Sequence, residues 1–225
     1  EKPNLNSFVK DPKKIKEFLE NYGEFSSMDK WLYNLKTLNF GKSYPYYSNY
    51  TINRVPVTGL DVNITPGIFS LSLLAGKSEQ SLFSNDDITM YNRNIIGGKV
   101  GVGHSNKSYF HITLAKIEDN AVESLTQEGQ SFNFQSNFLS GLDFKLDLFS
   151  NNVKLKSEVV RSVHTNNLNT EEEFSNTDLA HKSKMDMFLF SKQTNIKVSY
   201  EYIGRDFRSL ASPIMLTDRF YYHFS

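Results

Sequence analysis

The chain has 225 residues, enough for one large β domain or two small ones. Its 25 Lys+Arg balance 25 Asp+Glu, so no global field recruits nucleic acid, and a nucleic-acid partner is not expected. Cysteine is absent, which removes disulfides, thiolate metal sites and cysteine nucleophiles, and no run of about 18 apolar residues offers a transmembrane helix.

The N-terminal stretch reads as helical. Asp11 and Pro12 make a helix start, the aspartate as N-cap and the proline at the first helical position. Ile15, Phe18, Leu19 and Tyr22 recur at helical spacing, and Gly23 is placed to end the run. A second short helix is expected through Met28, Trp31, Leu32 and Leu35. Its mixed polar face points to a small packing helix, not a membrane-surface one. Residues 1–35 are therefore expected as an N-terminal helical segment ahead of a β-barrel over 36–225.

From residue 36 the hydrophobic period changes to two. Leu60, Val62 and Ile64 alternate with Asp61 and Asn63; Phe110, Ile112 and Leu114 with His111 and Thr113. Leu142, Phe144, Leu146 and Leu148 alternate with Asp143, Lys145 and Asp147; Ile196, Val198, Tyr200 and Tyr202 with Lys197, Ser199 and Glu201. About ten strands are predicted, at 36–46, 55–65, 68–77, 93–105, 108–118, 132–150, 153–163, 182–192, 195–204 and 217–225. Tight turns are expected at Pro66-Gly67, near Asn106-Lys107, at Asn151-Asn152 and at Gln193-Thr194. Long polar connections are expected at 77–92, 119–131, 164–181 and 205–217, so short turns gather at one end of the sheet and long loops at the other.

Two-residue turns would pair Asp147 with Lys156, Lys145 with Glu158, Leu148 with Leu155 and Phe144 with Val159. They would likewise pair Ile64 with Phe69, Val62 with Leu71, and Val198 with Leu189, while a three-residue turn brings Val102 onto Phe110. The sheet then has one apolar face and one polar face. A soluble barrel buries the first; an outer-membrane barrel turns it to lipid. The turn and loop asymmetry, the long 132–150 strand, the paired charges and glycines of the polar face, and aromatics near strand ends (Tyr44, Tyr46, Tyr47, Tyr50, Tyr221, Tyr222) favour the membrane arrangement. Arg161 and Lys116 fall on the outward face, at the loop ends of their predicted strands, where a cation snorkels to the interface.

The segments Leu38-Asn39-Phe40-Gly41-Lys42-Ser43-Tyr44-Pro45 and Val55-Pro56-Val57-Thr58-Gly59-Leu60-Asp61, with Pro66-Gly67 and later Ser209-Leu210, Pro213 and Asp218, resemble predicted outer-membrane β-barrel proteins of Bacteroidota. The resemblance spans most of 36–225 and implies a fold and a Gram-negative outer-membrane location, not an activity. Many such barrels end on an aromatic residue, whereas here Phe224 is followed by Ser225.

No motif for chemistry stands out. His104, His111, His164, His181 and His223 lack metal-ligand spacing, and no Ser-His or Asp-His arrangement is suggested. Glu171-Glu172-Glu173 with Asp178 and His181 reads as a solvated acidic loop. Gly97-Gly98-Lys99-Val100-Gly101-Val102-Gly103 reads as a strand with small residues where the sheet packs closely, not as a phosphate loop. The polar face is expected to turn Asp61, Asn63, Lys99, Asp143, Lys145, Asp147, Lys154, Lys156, Glu158, Lys197 and Glu201 into the lumen, as ion-paired filling or as a channel lining.

The expectation is thus an all-β protein: an antiparallel up-and-down transmembrane β-barrel of about ten strands, closed on itself or a section of a larger barrel, with a periplasmic N-terminal helical segment. Its role would be structural, accessory or pore-forming, without catalysis, cofactor or metal. Its partners would be outer-membrane lipid and other outer-membrane or periplasmic proteins. The alternative is a soluble β-barrel that binds an apolar small molecule in its interior.

Overall fold

The period-two segments become ten antiparallel strands in the computed structural model. They are β1 (Leu35–Ser43), β2 (Val57–Ile64), β3 (Phe69–Ser84), β4 (Asp87–Gly103), β5 (Tyr109–Asn120), β6 (Gln135–Leu148), β7 (Val153–Asn166), β8 (Phe174–Leu189), β9 (Thr194–Ile203) and β10 (Arg219–Phe224). The described residues are 34–84, 87–104, 106–120, 134–166, 174–189, 194–212 and 217–225. The expected helices of the first 35 residues lie outside them, apart from Asn34 and Leu35. The acidic run Glu171-Glu172-Glu173 also lies outside.

Lys36–Ser225 form one compact unit. Each strand pairs with its neighbours in sequence, in the order β1 to β10, which is the expected up-and-down meander. β1 and β10 are the two edges and are not paired with each other among the described residues, so backbone hydrogen bonds do not close the sheet.

Several strands overrun the predicted bounds at the loop end. The β3–β4 hairpin continues until Ser84 pairs with Asp87, so most of the expected 77–92 loop is ladder. β8 begins at Phe174, ahead of the expected 182, and pairs back to Asn166. In these stretches, such as Lys77-Ser78-Glu79 against Asn92-Arg93-Asn94, both faces carry polar residues. The alternation fades there while the backbone goes on pairing. β6 is shorter than the expected 132–150, at 14 residues.

Three of the expected registers are corrected, each by an even number of residues. Leu146 pairs with Leu155 and Asp147 with Lys154, because the turn spans Phe149 to Asn152. Phe149, Ser150 and Asn151 all adopt positive φ (50, 55 and 69°), and the Asn152 N–H closes onto the Phe149 carbonyl at 3.1 Å. Ile64 pairs with Leu71 and Val62 with Leu73. Val198 pairs with Met185, and Leu189 with Thr194. Val102 does pair with Phe110, as expected. An even shift keeps every side chain on its face, so the expected faces survive although the partners change.

The faces differ sharply in burial. Leu142 is 46% exposed while its neighbour Asp143 is 8% exposed. Leu73, Ile96, Val100, Phe110, Leu114 and Phe138 share the exposed apolar face. The opposite face is covered by two connections that enter from the loop end: 44–56, between β1 and β2, and 204–212, after β9. Their Tyr47, Tyr50, Ile52, Phe207 and Ala211 pack on a seat of Ile95, Ile117, Leu139, Val160, Ala180 and Ile203. Full burial of a side chain such as Ile52 or Phe207 stabilises by about 1.5–3 kcal/mol. Gly97 makes room for this packing, since a Cβ there would lie 2.6 Å from the Ile52 Cδ1.

Candidate functional site

The covered face is built around the 44–56 connection. Pro45 and Pro56 lack the N–H that would continue a ladder, so the chain leaves the sheet between them. Ser48 and Thr51 then tighten a turn: their hydroxyls lie 2.7 Å apart, and the Thr51 N–H donates to the Ser48 Oγ at 3.2 Å. The Tyr47 N–H to Ile52 carbonyl bond (2.8 Å) and the Arg54 N–H to Pro45 carbonyl bond (2.8 Å) close a small inner hairpin.

The second connection lies against this hairpin. The Asn53 N–H donates to the Ala211 carbonyl at 2.9 Å. Ser209 Oγ donates to the Thr51 carbonyl at 2.7 Å, and Ser212 Oγ to the Asn49 carbonyl at 3.0 Å. The Tyr50 and Phe207 rings meet edge to face, 6.1 Å between centroids. Asp178 starts this segment by accepting the Asp206 N–H at 2.8 Å.

Charged and polar side chains of the sheet hold both segments by their backbones. Lys99 Nζ donates to the Tyr47 carbonyl at 2.7 Å. Glu158, 5% exposed, accepts the Tyr50 N–H and the Asn49 Nδ2, each at 3.2 Å. Glu201 accepts the Tyr50 hydroxyl at 2.6 Å and Lys182 Nζ at 3.3 Å. Arg93 is clamped by Asp119 through two bonds of 2.6 and 3.2 Å and donates Nη1 to the Leu210 carbonyl at 3.0 Å. Asn137 Oδ1 accepts the Leu210 N–H, and Ser162 Oγ donates to the Arg208 carbonyl. Burial pushes the Tyr47 and Tyr50 phenols up, and the hydrogen bond to Glu201 raises Tyr50 further.

The register places all eleven expected polar residues on this one face. Lys99, Glu158 and Glu201 bond the inner segments directly. Asp143 supports them by holding Lys99 at 3.0 Å, with His111 Nδ1 also at 3.0 Å. His111 lies over Gly101, where a Cβ would collide with the imidazole. The expected cross-strand ladder is corrected: Lys145 pairs with Asp147 on its own strand at 3.2 Å, not with Glu158. Lys154 lies over the Phe188 ring at 5.5 Å; Lys156 and Lys197 are exposed, and Asp61 and Asn63 are half-buried.

Arg93, Asp119 and Ser162 escaped the sequence reading because they lie at or beyond the ends of its alternating runs, and Asn137 was passed over inside the predicted 132–150 strand; Asp178, expected in a solvated acidic loop, lies instead in β8 and accepts the Asp206 N–H. The apolar seat was missed too, although it leaves a signal. Leu73-Leu74, Ile95-Ile96, Phe138-Leu139 and Val159-Val160 are doublets that break the alternation, one residue outward and one inward.

No protein-family model matches the chain, and no curated protein matches it. The site therefore rests on its own geometry. Its bonds are spent on carbonyls and N–H groups of the chain itself, an arrangement for holding two segments in place. Among the described residues, no group of three or more His, Cys, Asp or Glu side chains gathers as metal ligands would.

Proposed function

We propose that this chain is an integral outer-membrane β-barrel protein with a filled interior and a structural or accessory role. The observation that carries the reading is the inverted burial of neighbours: Leu142 is exposed where Asp143 is buried. A soluble sheet buries its apolar face, whereas a membrane barrel turns it to lipid. The apolar outer rows end at the loop side in Lys77, Asn94, Glu118, Ser136, Thr165 and Ser175, all in one register across β3 to β8. The outer membrane is the location implied by the resemblance of 36–225 to Bacteroidota barrels.

Filling by 44–56 and 204–212 supports a closed interior over a conducting pore. The alternative of an apolar ligand inside a soluble barrel finds less support, because the covered face carries Lys99, Asp143, Glu158 and Glu201. Single cysteines at Leu146 and Asp147 test the orientation in a chain that has none of its own. In reconstituted vesicles the cysteine at 146 is expected to resist a membrane-impermeant maleimide and to report a lipid environment when spin-labelled. A protein that stays monomeric and soluble without detergent, with position 146 fully labelled, overturns the reading.

A further inference from the structure

Resting on the membrane reading, one feature of the outer face calls for a partner. The outer row Val62, Leu73, Gly98, Leu114, Ser140, Arg161, Leu179 runs in register from β2 to β8. Arg161 is the single charge in it. Another outward cation, Lys116, is neutralised by Glu118 at 2.6 Å. Arg161 has no ion pair or hydrogen bond with the described residues and points away from the charged face.

Beside Arg161 the surface is hollow. Ser140 is small, the Gly141 backbone forms the floor, and Ile112, Leu142, Val159 and Leu179 are the walls around about 230 Å³. Arg161 belongs to the row on the loop side of Ile112, Leu142 and Val159, with Val163 the one apolar outward residue between it and Thr165. Its stem can carry the charge toward the loop-side boundary. Apolar walls with a fork of N–H donors at one rim suit an acyl chain lying in the hollow and an anionic oxygen held bidentately above it. The nearby polar groups make no competing demand, since Ser157, His181 and Ser183 bond one another at 2.8 to 3.2 Å.

We propose that Arg161 and the hollow around Ser140 bind one anionic, phosphate-bearing lipid of the loop-side leaflet. A protein carboxylate would satisfy the charge but would leave the acyl-sized hollow unfilled.

The test uses the full chain in neutral detergent, incubated with dioleoylphosphatidylglycerol or with zwitterionic dioleoylphosphatidylcholine and read by native mass spectrometry. The wild type is expected to retain one phosphatidylglycerol about tenfold better than phosphatidylcholine. Arg161→Gln should bring the two to parity, Arg161→Lys should keep part of the preference, and Ser140→Phe should reduce retention of both. Lys116→Gln should behave as wild type. Heat-modifiable gel migration confirms that each variant is folded. The site is overturned if folded Arg161→Gln keeps the wild-type preference, if the wild type shows none, or if a photo-cross-linker at 161 captures protein in place of lipid. A detergent-requiring protein with no headgroup preference sinks this site alone. A protein soluble without detergent sinks the membrane reading as well.

Discussion

Glu158 and Arg93 carry the plainest single-residue consequences. Glu158→Ala removes the acceptor of the Tyr50 N–H and the Asn49 amide in a buried position, and should lower stability by about 1–3 kcal/mol in denaturant unfolding of the detergent-solubilised protein. Glu158→Gln keeps an acceptor oxygen and should lose less. Arg93→Met strands the buried Asp119 carboxylate, with an expected loss of about 3–5 kcal/mol. Tyr50 adds a pH dependence. Its folded pKa is raised above the ordinary 10.0 by burial first and by the Glu201 hydrogen bond next. Below that value the phenol is neutral in both folded and unfolded chains, and its contribution is fully present. As pH rises beyond it the unfolded chain gives up the proton more readily, so stability falls. Absorbance titration should show this tyrosinate forming only as 44–56 is released, and Tyr50→Phe should remove that step. Free ionisation of Tyr50 at its ordinary value would contradict the assignment.

At the scale of strands and connections, alternation showed which residues share a face but not which residue stands opposite which. Parity follows from burial, and burial is written residue by residue along a strand. The offset depends on turn length, and Phe149 and Ser150 give no sequence warning that they will take positive φ. The two offsets separate by disulfide trapping. Leu146→Cys with Leu155→Cys should cross-link, because directly opposed residues lie within disulfide reach. Leu148→Cys with Leu155→Cys, the pair set by a two-residue turn, should not. The inner segments were illegible for another reason. Tyr47 and Tyr50 read as interfacial aromatics in sequence, whereas the placement of their segment comes from contacts such as Tyr50 with Glu158 and Glu201 and Thr51 with Ser209, each more than a hundred positions apart. Phe207→Ala empties a fully buried site and should cost about 3–5 kcal/mol.

For the molecule as a whole, the open edges and the covered polar face set the expectations. In a bilayer the free backbone groups of β1 and β10 need partners, so closure of one on the other, or on further strands, follows from the membrane reading. On the membrane reading the wild type should be silent in planar bilayers, because 44–56 and 204–212 cover the polar face. Arg93→Met combined with Phe207→Ala frees the second segment from its anchor and seat and should produce conductance; steady wild-type channels would refute the filled interior. Local pattern was sufficient for an all-β meander with one apolar and one polar face, since strand periodicity and burial act on near neighbours. It was not sufficient for turn offsets, the extended hairpin ends or the purpose of the polar face. Those depend on distant parts of the chain meeting: Glu158 reads as one rung of a charge ladder until Tyr50 is laid against it, and then it is the acceptor that holds an inner segment in place.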